Sequence, residues 1–274
     1  MLNWSLKLFR VRGIQLAVHS SFFLLLGFVA WEGWQADPKT GQGGGWVDMA
    51  WNVGILLAFF TCVVLHELGH SLTAMQFGVG VRRILLMPIG GMAEFDTIPR
   101  QPARELLITV AGPAVNFAIA GLIFLFIGAP AGWPWGQYGF TADARGFAQL
   151  LAHWNLIMGL FNLVPVFPMD GGRILRAALA SRLPYLRATR IAANIAKVLA
   201  GIGIIGVIAV PLFYGESPLY LTAALLGFIL IAGELEYRAA IRRERDDAHW
   251  RETIARIHQA ESTPPTDEPP LLRS

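Results

Sequence analysis

A chain of 274 residues with 54% hydrophobic side chains, 15% charged ones and a mean hydropathy of +0.49 is too apolar to be a water-soluble globule. A net charge of +3, with Lys and Arg scattered between apolar runs, excludes a nucleic-acid-binding face. A single cysteine, Cys62, excludes an internal disulfide and any paired-cysteine zinc or redox motif.

In chain order, Lys7, Arg10 and Arg12 come first and precede an apolar run from Ile14 to Trp31. Signal peptides share that layout, but no small-residue cleavage site follows here and further apolar runs do. The run is therefore read as a first transmembrane helix. Crossing a hydrocarbon core of roughly 30 Å takes about 20 apolar residues. By that measure Met49–Phe77, Glu105–Ala129, Phe147–Val166, Arg190–Tyr214 and Pro218–Tyr237 are the remaining candidates. Between the first two spans, Asp37–Trp46 is Gly-rich but lacks the Lys-Ser/Thr of a phosphate loop, so it is a connector. After the second, Arg83–Phe95 is short, apolar and split by Gly90-Gly91, which predicts a small β-hairpin or re-entrant loop. Trp133 and Trp135 are placed at the outer interface. Glu236–Gln259 reads as a charged helix and Glu261–Ser274, rich in Pro, as disordered.

Basic residues test the span count. With the N-terminus inside, Lys7 to Arg12, Arg82 to Arg104, Arg173 to Arg190 and the tail from Arg238 fall on one side, and only Lys39 and Arg145 on the other. That alternation orients membrane proteins and places both termini in the cytoplasm. The expected fold is an all-α polytopic membrane protein of about six transmembrane helices, with the hairpin between the second and third. Residues 1–238 form the membrane domain and 239–274 a charged, partly disordered cytoplasmic tail.

The second span carries His66-Glu67-Leu68-Gly69-His70. Residues four apart on a helix lie nearly one above the other, so both imidazoles project from one face and can share a zinc ion. Glu67 lies beside them, where a carboxylate can take a proton from water at the metal. Three fixed residues recur by chance on solvated helices. Within an apolar span such groups are expensive to bury, which favours function. A catalytic zinc needs a third protein ligand. Asn162-Leu-Val-Pro165-Val-Phe-Pro168-Met-Asp170-Gly171-Gly172 ends the fourth span, and its prolines and glycines must open the helix. Asp170 at that break can turn toward a metal held by another helix; its ordinary alternative is to cap the helix that follows. Cys62, four residues before His66, is read as a small buried hydrophobe. Asn155 either faces the cavity or bonds across helices.

The H-E-x-x-H run followed by Asn162-x-x-Pro165 and Asp170-Gly171-Gly172 resembles the site-2 protease family of intramembrane zinc metalloproteases (peptidase family M50). Gly90-Gly91-Met-Ala-Glu94 and Ala111-Gly112-Pro113-Ala-Val-Asn116 extend the resemblance. It implies one zinc ion on His66, His70 and Asp170, with Glu67 as catalytic base. It further implies Asn116 and Asn162 as helpers in substrate binding or oxyanion stabilisation, and a Gly90-Gly91 loop whose edge pairs with an unwound substrate. A connector without substrate contact is the plainer reading of that loop. The expected partners are a transmembrane protein or peptide substrate and the lipid bilayer of the cell membrane. Relatives carry PDZ or CBS domains for which this chain has no room. A non-catalytic membrane scaffold and an ion transporter are the alternatives; the transporter would require inverted repeats, which the sequence lacks.

Overall fold

The apolar run expected as one helix divides at His19. In the computed structural model, which describes residues 4–35, 43–96, 101–129, 143–214, 217 and 219–262, it becomes strand β2 (Ile14–His19) and helix α1 (Ser20–Trp34). His19 marks the change, because its Nδ1 accepts a hydrogen bond from the Ser21 backbone N–H at 3.2 Å and so caps α1. The alternative helical reading loses to pairing on both sides. β2 lies antiparallel to β1 (Ser5–Val11) and parallel to β3 (Val81–Met87), which pairs antiparallel with β4 (Gly90–Phe95). The sheet order is β1-β2-β3-β4. The expected hairpin is therefore present, as β3 and β4, but inside a four-stranded sheet that the all-α expectation omits.

The other helices are α2 (Trp46–Gln76), α3 (Pro102–Ile127), α4 (Ala144–Asn162), α5 (Asp170–Ala180), α6 (Tyr185–Phe213) and α7 (Tyr220–Ser262). Among the described residues three of them, α2, α3 and α6, are long and apolar enough to cross a membrane. The count of six crossings is not reached on these grounds. α1 is apolar but has 15 residues, and α4 carries Arg145, Gln149, His153, Asn155 and Asn162 along its length. The sixth expected span and the charged segment after it are one continuous 43-residue helix, α7. The Gly-rich connector between α1 and α2, Trp133 and Trp135, and the Pro-rich end of the chain fall wholly or mostly outside the described residues.

α1 runs beside the N-terminal half of α2. Trp34 meets Trp46 at one end with ring centroids 4.9 Å apart, and Phe22 meets Phe60 at the other at 4.7 Å. Beyond Phe60 the sheet takes over from α1. Val18 and Leu86, partners across β2 and β3, join Phe22, Phe60 and Val63 in one buried apolar cluster. The sheet is thereby held level with the His66–His70 turn of α2.

Candidate metal centre

Four helices build the site. α2 presents His66 and His70 from one face, as helical spacing requires, and both are buried. α4 ends at Asn162, and the chain through Pro165 and Pro168 returns to start α5 at Asp170. Asp170 is the first residue of α5, so it stands at a helix start as its alternative reading held, yet its carboxylate also reaches α2. Oδ2 lies 3.3 Å from His66 Nε2 and 3.2 Å from His70 Nε2, and the two Nε2 atoms are 3.1 Å apart.

The outer partners fix what those atoms are. His66 Nδ1 donates to Asn116 Oδ1 at 2.6 Å and His70 Nδ1 donates to the Ile108 carbonyl at 2.8 Å, both on α3. Each Nε2 is then a bare lone pair in the neutral imidazole. Two lone pairs and a buried carboxylate oxygen that has no hydrogen-bond partner face one another. Such a triangle is repulsive unless a cation stands over it. Its edges match the roughly 3.3 Å between ligands of a tetrahedral ion with bonds of about 2.0–2.1 Å. The donor set of two nitrogens and one oxygen suits zinc, and His66, His70 and Asp170 are the group among the described residues that could hold a metal ion.

Asn116 stands behind this triangle, fully buried, rather than in the cavity where a substrate or oxyanion would lie. Its Nδ2 donates to Asn155 Oδ1 at 2.8 Å, and Asn155 Nδ2 donates to the Leu151 carbonyl at 2.8 Å. Asn155 thus bonds across helices. Gly112 is the contributor that spacing alone does not reveal. A Cβ there would overlap His70 Nε2 and come within 2.8 Å of His66 Cε1, so only glycine lets α3 press its backbone onto both imidazoles.

A cavity of about 650 Å3 opens beside the triangle. Glu67 lines it with His66, His70 and Asp170, and so do Asn162, Gly90 and Gly91. A Cβ at Gly91 would sit 2.7 Å from Glu67 Cγ, so the bare backbone of β4 passes directly over the glutamate. β4 is an edge of the sheet, with β3 on its other side. Outside the helices, Arg83 donates to Glu94 at 2.6 Å and holds that carboxyl below its ordinary range.

A buried ion group adjoins the cavity, which Glu105 helps to line. Arg176 of α5 donates through Nε to Glu105 at 2.8 Å and through Nη1 to Glu236 at 2.6 Å, joining α5 to α3 and α7. Its guanidinium lies over the rings of Phe167 and Tyr185. Glu234, nearby on α7, lies outside this group and accepts from Arg238 at 2.7 Å.

Comparison with known proteins agrees with this geometry. The model of peptidase family M50 matches residues 54–138 and 136–204, which include His66, Glu67, His70 and Asp170. A zinc metalloprotease of Methanocaldococcus jannaschii is 41% identical over 201 residues, covering 73% of this chain and 52% of that protein. Stage IV sporulation protein FB of Bacillus subtilis is 29% identical over 137 residues, covering 50% and 44%. The chain spans about half the length of these curated relatives. The solved site-2 protease from Methanocaldococcus jannaschii superposes with a TM-score of 0.55 at 33% identity, covering 85% of this chain and 95% of that one.

Proposed function

Because the chain belongs to peptidase family M50, we propose that it hydrolyses peptide bonds in or near transmembrane segments of membrane proteins. The reading rests on one observation above all: three bare ligand atoms converge within 3.1–3.3 Å beside a glutamate that lines a cavity among apolar helices. His66, His70 and Asp170 hold one zinc ion in this reading. Bound there, zinc supplies Lewis acidity, polarising a scissile carbonyl and acidifying water to a pKa of about 7.

The chain's own groups do the rest. Glu67 accepts the proton of the attacking water and passes it to the leaving amine. Asn162, at the end of α4 and on the cavity wall, is the candidate donor to the tetrahedral oxyanion. Asn116 orients His66 and keeps its proton on Nδ1. A helical substrate hides its carbonyls in its own hydrogen bonds and must unwind before cleavage. The free edge of β4 at Gly90-Gly91 offers it strand pairing over Glu67.

Six crossings, a cell-membrane location and cytoplasmic termini complete the reading, supported by the distribution of Lys and Arg. Residues 1–238 form the membrane-embedded protease and 239–274 its tail. The test is the zinc content of the purified full chain beside Asp170→Ala and His70→Ala, with cleavage of a transmembrane reporter measured in vesicles. One zinc per chain, lost from both folded variants, supports the proposed ligands. Zinc without cleavage of any transmembrane reporter would make the chain a binding scaffold. Zinc retained in Asp170→Ala would remove that residue from the ligand set.

A further inference from the structure

The sheet has a second edge, and its chemistry differs from that of β4. In β1 the pairing slips between Lys7, opposite Ala17, and Arg10, opposite Gln15. Two residues, Leu8 and Phe9, thus stand against the single residue Leu16. Such a bulge restarts the alternation of side chains one residue late. Leu6 opposes Val18 and shares its face, and the slip returns Leu8, Phe9 and Val11 to that side. Lys7 and Arg10 share the other face with Ala17 and Gln15. Without the bulge Phe9 would lie among the basic residues.

The apolar face is the one that packs on the helices, because Val18 belongs to the cluster with Phe22, Phe60 and Val63. β1 extends that face beyond the bundle, with Leu6, Leu8 and Phe9 exposed by 56%, 46% and 60%. Lys7, Arg10 and Arg12 are exposed beside them, and no acidic residue precedes Glu32.

The length of α1 supplies the reason for this layout. Its 15 residues span about 22 Å at 1.5 Å each, against roughly 30 Å of hydrocarbon. Exposed Trp31, Trp34 and Trp46 mark one end of it as a membrane–water boundary. On the other side, the side of the metal centre, the apolar helix stops short and the sheet begins. β1 cannot lie in the hydrocarbon itself, since an edge strand has backbone groups that only water or headgroups can satisfy. It belongs at the headgroup boundary.

We infer that β1 is a membrane-lying strand that docks on the anionic headgroup layer of the leaflet nearest the metal centre. Leu6, Leu8 and Phe9 enter the acyl boundary, and Lys7, Arg10 and Arg12 take lipid phosphates. Because β1 to β4 form one hydrogen-bonded sheet, this seat also fixes the plane in which β4 lies over Glu67.

The full chain is reconstituted in phosphatidylcholine vesicles with and without phosphatidylglycerol, carrying a nitroxide at Leu8→Cys, Phe9→Cys or Lys7→Cys. Wild type, whose Cys62 is buried, is the blank. Collisions with oxygen report lipid and collisions with a water-soluble nickel chelate report water. Positions 8 and 9 are expected in lipid and position 7 in water, with 8 and 9 moving deeper when phosphatidylglycerol is present. Neutralising Lys7, Arg10 and Arg12 to Gln is expected to lower the preference for spin-labelled phosphatidylglycerol about fivefold per residue. Water exposure at both 8 and 9 would overturn the docking. Equal depth and equal lipid preference in the two vesicles would overturn its anionic basis. Neither readout depends on zinc or on cleavage, so failure here is distinct from failure of the protease reading.

Discussion

Asn116 does not line the cavity, yet which nitrogen of His66 is left bare depends on it. By accepting from Nδ1 it leaves the lone pair on Nε2, and Asn155 holds its amide from behind. Asn116→Ala is expected to weaken zinc about 10–100-fold, read by competition with a chelator, while the helices remain folded. Gly112→Ala is a harsher test: the added methyl meets both imidazoles, so zinc is expected to fall below measurable stoichiometry in metal analysis of the purified chain. Glu67→Gln separates binding from chemistry. Zinc is expected to stay at the wild-type level while the cleavage rate in vesicles drops about 100- to 10,000-fold. At this scale the sequence was most readable, because helical spacing alone pairs His66 with His70. Gly112 was not, since a glycine reveals nothing of what presses against it.

Among the elements, α5 holds two charges of opposite purpose six residues apart. Asp170 turns to α2, and Arg176 turns away to Glu105 on α3 and Glu236 on α7. Breaking a buried ion group by removing one member leaves the rest uncompensated. Arg176→Met is expected to cost about 3–5 kcal/mol, seen as a lower thermal midpoint in mild detergent. Replacing Glu105, Arg176 and Glu236 together by apolar residues of similar size is expected to restore most of it. Neither the ion group nor the outer sheet could be read ahead. Glu105, Arg176 and Glu236 are far apart in sequence, and nothing local pairs them. Ile14 to Trp31 is a continuous apolar run, which periodicity alone cannot assign to strand or helix. What decides for β2 is its parallel pairing with β3, 68 residues later, as in Gln15 with Arg83. The hairpin β3–β4 was readable because its turn and both its strands are local.

Across the whole molecule, the metal centre and the sheet meet along α2. One half of that helix packs on α1, and the other carries His66, Glu67 and His70 beneath β4. α7 passes from apolar to charged composition without interruption, over about 64 Å for its 43 residues. The change in composition suggested a boundary near residue 238; helix propensity continued through it, because Ala, Glu and Arg extend a helix whatever surrounds it. The broad membrane character and the meeting of His66, His70 and Asp170 were therefore legible, while the number of crossings was not, since α1 and α4 are short or polar compared with a standard span.

Asp170, the third member of the candidate metal centre, comes late in the chain. His66 and His70 leave the ribosome about a hundred residues before Asp170, and at roughly 5–20 residues per second that is an interval on the order of 5–20 s. Throughout it the nascent chain has two imidazoles but no carboxylate to complete their triangle. In the protease reading proposed above, the newborn protein is thereby disarmed while its first helices insert among unprotected neighbours, and it acquires its cutting edge only once Asp170 reaches His66 and His70.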